Sequence, residues 1–216
     1  MLRPLVAAVI VTGLAAGEAP AQSVREWFAM APCAAGVSLQ AIAPRQVLVD
    51  DRNGYVRVSD LEAGELGIET TFAVFRKADG TRIFACHTVE VSHDRTGMHL
   101  AFYELRGGRL MEITRPLVPR LTLADFLDPG TPSPTEKLGE ATLRYLLPRM
   151  GTTIRVEPQA FTSHEAFIDT STPRGLVPAE EIDRFRRTVE NRHYRAIELN
   201  WDRTRGVFTA GRKIPR

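Results

Sequence analysis

The sequence predicts an α+β, predominantly β fold: an antiparallel meander, curved or two-layered, covered by an N-terminal helix and two later helices. Three observations carry this expectation. Residues 70–114 alternate through four strand-like segments separated by three turn signals, Ala78-Asp79-Gly80, the run from His93 to Gly97, and Gly107-Gly108. Both faces of the resulting strands are too apolar to meet water, so each needs a covering layer. Two cysteines, Cys33 and Cys86, would tie the start of the chain to the middle of that sheet.

Taken in order, residues 1–21 combine Arg3, an apolar run from Leu5 to Ala16 and the small-residue site Ala19-Pro20-Ala21. This is the pattern of a cleaved signal peptide, with an apolar run too short to span a bilayer. The expected mature chain is residues 22–216, one exported β-rich domain whose length suffices for a sizeable core. No transmembrane segment is expected in it, and its location would be the periplasm or the secreted fraction.

Residues 23–30 place Val24, Trp27, Phe28 and Met30 at amphipathic helical spacing. A Cys33–Cys86 disulfide would pin that helix over a sheet face carrying Ala73, Phe75 and Phe84. Residues 46–59 alternate on both sides of Arg52-Asn53-Gly54 and read as a hairpin, with Asp50, Asp51 and Asn53 as turn chemistry rather than calcium ligands.

Within the meander, a two-residue turn at Asp79-Gly80 sets Arg76 opposite Ile83, Val74 opposite Ala85 and Phe72 opposite His87. One face then holds Phe72, Val74, Ile83, Ala85, His87, Val89 and Val91, joined by Met98, Leu100 and Phe102. The other holds Ala73, Phe75, Phe84, Cys86 and Thr88, then Ala101, Tyr103 and Leu105. At roughly 1.5–3 kcal/mol per fully buried large apolar side chain, these residues would make most of the core.

Beyond the meander, residues 121–127 suggest a helical turn and the Pro/Gly-rich run 128–134 a surface loop. Residues 136–147 carry Leu138, Ala141, Thr142, Tyr145 and Leu146 at helical spacing and predict a helix stopped by Pro148. Residues 152–157 read as a strand. A further helix opens at Pro178, with Ile182, Phe185 and Val189 on one stripe and Asp183/Arg187 and Arg186/Glu190 as i,i+4 pairs. Residues 194–201 and 206–213 form a last hairpin around Asp202-Arg203-Thr204-Arg205-Gly206, which echoes the D-R-T-G of the earlier tip at Asp94 to Gly97.

Charge narrows the partners. The formal net charge is +2, but residues 174–216 hold eleven basic and six acidic residues, a local +5. Arg186, Arg187, Arg195 and Trp201 are therefore the candidate ligand-binding residues of the C-terminal third, facing a protein or an acidic envelope polymer. Export argues against nucleic acid. His87 is the other candidate: it lies on an apolar face, as a packed histidine or as the lining of a pocket. His99 is expected opposite Glu90 on the far face, so the two rings cannot share an ion.

No metal or cofactor is expected. The histidines do not converge, no C-x-x-C is present, and no serine sits in a nucleophile motif. Ser92-His93-Asp94 and Ser163-His164-Glu165 are only neighbours in sequence, and neighbours on a strand point apart. The leading expectation is an exported cell-envelope binding or interaction protein without an identifiable catalytic motif. The alternatives are a hydrolase of an envelope polymer, with its site on the loops 125–136 or 160–173, and a periplasmic inhibitor of a lytic enzyme.

Overall fold

The computed structural model describes residues 23–34, 46–59, 67–91, 96–131, 143–159 and 179–216. The expected leader, both Ser-His-acid triplets in whole or in their histidine, the loop 160–173 and residues 132–136 of the other candidate loop lie outside these residues.

Strands β1 (Val47–Asp50), β2 (Tyr55–Ser59), β3 (Gly67–Arg76), β4 (Arg82–Val91), β5 (Thr96–Arg106) and β6 (Arg109–Glu112) lie side by side in chain order as a six-stranded antiparallel meander. A second antiparallel sheet has the order β10-β9-β8-β7, from β7 (Leu143–Leu146), β8 (Thr153–Pro158), β9 (Tyr194–Asp202) and β10 (Val207–Pro215). Among the described residues three α-helices accompany them, α1 (Val24–Met30), α2 (Thr114–Leu117) and α3 (Ala179–Glu190). The fold is thus α+β and predominantly β, in two sheet layers.

α1 starts at a capping box: the Ser23 hydroxyl accepts from the Glu26 N–H at 3.3 Å and the Glu26 carboxylate accepts from the Ser23 N–H at 2.7 Å. It ends at Ala31, which precedes Pro32. Its buried residues Val24, Trp27 and Phe28 pack against Val56, Val58, Phe72, Phe84 and Tyr103, with Trp27 4.9 Å from Phe84 and Phe28 edge-on to Phe72 at 5.8 Å. The Cys33–Cys86 disulfide fixes this lid to β4, with Cα atoms 6.5 Å apart.

The β3–β4 register differs from the expectation by one residue. The turn has three residues rather than two: the Gly80 N–H donates to the Lys77 carbonyl and the Lys77 N–H to the Thr81 carbonyl, with Gly80 at φ 87°. This is a type I turn closed by a left-handed glycine. It aligns Arg76 with Arg82, Val74 with Phe84 and Phe72 with Cys86, so Thr71 rather than Phe72 faces His87. The faces expected for β4 and β5 hold, and those of β3 are exchanged. Hence α1 covers Phe72 and Phe84, while Ala73 and Phe75 look to the other side. The separate β4–β5 register also departs from the expectation: His99 faces Thr88, and Glu90 faces Gly97.

That other side is covered by the second sheet. Phe75, Ile83, Ala85 and Phe102 pack with Ile154, Val156, Ile197, Leu199, Trp201 and Phe208, and Phe208 lies within 5.4 Å of the rings of Phe75, Phe102 and Trp201. At one end the sheets are clasped by backbone and indole: Ala78 N–H to the Arg203 carbonyl at 2.9 Å, and Trp201 Nε1–H to the Arg76 carbonyl at 2.9 Å.

A second correction concerns residues 143–146, expected at the end of a helix and found as β7. Its register with β8 runs from Leu143 opposite Pro158 to Leu146 opposite Arg155. Pairing with the β-branched strand β8 and docking on the first sheet override a helical spacing, and Pro148 disfavours helical backbone at Leu147. Residues 136–142 lie outside the described set.

Candidate functional site

On the face of the first sheet that meets the second, pairing sets residues in rows across four strands. Tyr55, Ala73, Ala85 and Phe102 form one row, and Arg57, Thr71, His87 and Leu100 the next. Beyond them Ser59, Glu69, Val89 and Met98 make a third. The core therefore turns polar along the strands, and β7 crosses over this polar end. The result is a cleft of about 200 Å³ lined by Tyr55, Arg57, Glu69, Thr71, His87 and residues 144–147.

Glu69 is the centre of its charge. Although 7% exposed, it holds two guanidinium groups: Arg57 Nε donates to Oε2 at 2.9 Å and Arg144 Nη2 to Oε1 at 2.9 Å. Burial alone would raise this carboxyl, but the hydrogen bonds and charges of Arg57 and Arg144 outweigh it and hold the group below its ordinary value. The Arg144 Nε–H is buried, with no hydrogen-bond partner among the described residues.

His87 is 3% exposed. Burial, helped by the Arg144 charge and opposed by Glu69, pushes its pKa down from 6.5 to about 4. The ring is therefore neutral at pH 7. Its Nε2 accepts the Tyr145 backbone N–H at 3.5 Å, which places the proton of the neutral ring on Nδ1. Tyr55, whose phenol burial raises, stays protonated and hydrogen-bonds Thr71.

This cluster is suited to holding an anion and poorly suited to acid–base chemistry. Among the described residues, two guanidinium groups against one carboxylate leave one positive charge in a partly desolvated cleft. The imidazole is a weak base at neutral pH, and the carboxylate is committed to two cations.

The C-terminal candidates do not converge. Arg187 lines a recess of about 270 Å³ with Leu127, Asp128, Arg184 and Asn191, while Arg186 pairs with Asp183 at 3.6 Å, an i,i+3 contact. Arg195 is exposed on β9. Trp201 is a core residue, 8% exposed between Phe75 and Phe208. Of the candidate loop 125–136, Asp125 is spent on capping Thr122 and Asp128 pairs with Nδ1 of His193 at 2.8 Å.

Among the sequence-selected residues His87 alone lies in the cleft. Arg57, Glu69 and Arg144 were not singled out. Strand alternation was the available signal for two of them, since Glu69 and Thr71 share a face and Thr71 pairs with Arg57.

Among the described residues no group of three or more His, Cys, Asp or Glu could hold a metal ion, and no helix is long and apolar enough to cross a membrane. No protein-family model and no curated protein matches the chain. Among solved structures it is similar to a domain of an uncharacterized protein from Porphyromonas gingivalis W83, with 11% sequence identity and a TM-score of 0.47 over 76% of this chain and 73% of that one.

Proposed function

We propose that this chain is an exported binding module of the cell envelope whose ligand enters the cleft between the two sheets. The observation that carries this reading is the buried Arg57–Glu69–Arg144 network beside a neutral His87, set in an otherwise apolar interface. A polar cluster of this kind is costly to bury, and polar groups converging in a cleft are the default candidates for recognising a ligand. Export is supported by the leader-like first 21 residues and by the disulfide. The depressed imidazole pKa and the doubly paired carboxylate favour binding over hydrolysis at this place.

Native mass spectrometry of protein isolated from its own envelope, run beside the denatured mass, tests the reading. A bound mass that disappears on denaturation is expected, with a chain beginning at Gln22. A bare chain in repeated preparations overturns the binding module, and a chain retaining residues 1–21 in the cytoplasmic fraction overturns export.

A further inference from the structure

We propose that the ligand group received in the cleft is a carboxylate, bound by the Nε–H of Arg144 beside the Arg57 guanidinium. The inference rests on the binding reading above and names the chemistry of that site's ligand.

Three observations lead to it. The first is the unmade hydrogen bond. Arg144 Nη2 is engaged by Glu69 at 2.9 Å, but its Nε–H is buried with no partner. Buried donors in folded proteins are nearly always satisfied, so this one calls for an acceptor that the described residues do not supply. The second is charge. The side chains lining the cleft include two guanidinium groups and one carboxylate, with a neutral imidazole, leaving one positive charge. One further monoanion neutralises the cleft and extends the alternation of guanidinium and carboxylate. The third is size and access. About 200 Å³ accommodates a small acid or the acidic end of a larger molecule, and the Arg57 side chain is about half exposed at 49%, so it can turn toward an incoming group. Arginine is the residue suited to carboxylate in such a place, because its planar fork presents several fixed donors and its charge survives burial.

The test is a titration of the disulfide-bonded chain with sodium acetate, followed by nuclear magnetic resonance of the arginine Nε–Hε signals. Sodium chloride and inorganic phosphate are run at matched ionic strength. Arg192 supplies an internal control, since its Nε is also buried and unpartnered but does not line the cleft.

A saturable shift of the Arg144 signal with acetate, absent with chloride and absent at Arg192, is the expected result. Arg144→Lys keeps a positive charge for Glu69 but lacks Nε. It should weaken acetate binding, read from the Thr71 and Tyr145 backbone amides, by about tenfold or more. No saturable shift overturns the proposal and leaves water as the partner of Nε. So does an equal response to chloride, or binding of phosphate without acetate. If native mass spectrometry shows a bound mass while acetate fails, the carboxylate inference falls and the binding module stands. If no bound mass is found, it is the binding module that falls.

Discussion

The backbone N–H of Tyr145 donates to Nε2 of His87 at 3.5 Å, across the gap between the two sheets. The bond joins an edge strand of the smaller sheet to a central strand of the larger, and it requires the imidazole to be unprotonated at Nε2.

Stability should therefore depend on pH through His87. Its pKa is lowered in the folded chain, from 6.5 to about 4. Between these values the unfolded chain binds a proton that the folded chain does not, so stability is full above about pH 6.5 and declines as the pH falls toward 4. The loss is on the order of 3 kcal/mol. Urea unfolding at several pH values should show this slope in the wild type and a flattened one in His87→Gln. An unchanged slope in the variant would exclude His87 as its source.

Glu69→Gln removes the anion from between Arg57 and Arg144. Arg57 can rehydrate, but Arg144 is more enclosed, with side-chain exposure of 33%. A destabilisation of roughly 2 kcal/mol is expected. The wild-type carboxyl is held below its usual value, so its contribution is present above about pH 4.5 and lost as the pH falls through the folded pKa. That window lies mostly below the one set by His87, and the two variants should flatten different parts of the same curve.

The disulfide closes a loop of 53 residues. Replacing the pair as Cys33→Ser with Cys86→Ala should cost about 4 kcal/mol in the chain-entropy account. Denaturant unfolding with and without reductant checks this: reductant should shift the wild type and leave the double variant where it was.

Two glycines separate backbone strain from crowding. Gly54 has φ 65° and an added Cβ would sit 2.9 Å from Val74 Cβ, whereas Gly80 has φ 87° and open space around it. Gly80→Ala should cost about 1 kcal/mol, and Gly54→Ala about 2–4 kcal/mol, since overpacking adds to the left-handed strain. Equal losses in thermal unfolding would show that Val74 yields without cost.

What the sequence displayed was its local order. The capped amphipathic turn at Trp27 and Phe28, the Asn53-Gly54 hairpin, the helix after Pro178 and the terminal hairpin all depend on residues close in the chain. The β3–β4 register was not legible, because two-residue and three-residue turns can both be drawn through Ala78-Asp79-Gly80. β7 was hidden for a different reason: Tyr145 and Leu146 fit a helical spacing, and only β8 and the first sheet make them a strand. The cleft shared that obscurity. Glu69 and Arg144 meet across 75 residues of sequence, and reading residues 136–147 as a helix removed Arg144 from any strand row.

β7 has four residues and one hydrogen-bonded neighbour in its sheet, β8. It nonetheless supplies Arg144 and Tyr145, one whole wall of the cleft. The six-stranded wall is buttressed on both sides, so the two jaws differ in what it takes to move them. Fraying of the short jaw from β8 would be a sub-global opening that withdraws Leu143 and Tyr145 from the inter-sheet core and leaves the core under α1 closed. The Tyr145 amide, bonded to Nε2 of His87, is the proton whose exchange with solvent reports that opening separately from global unfolding.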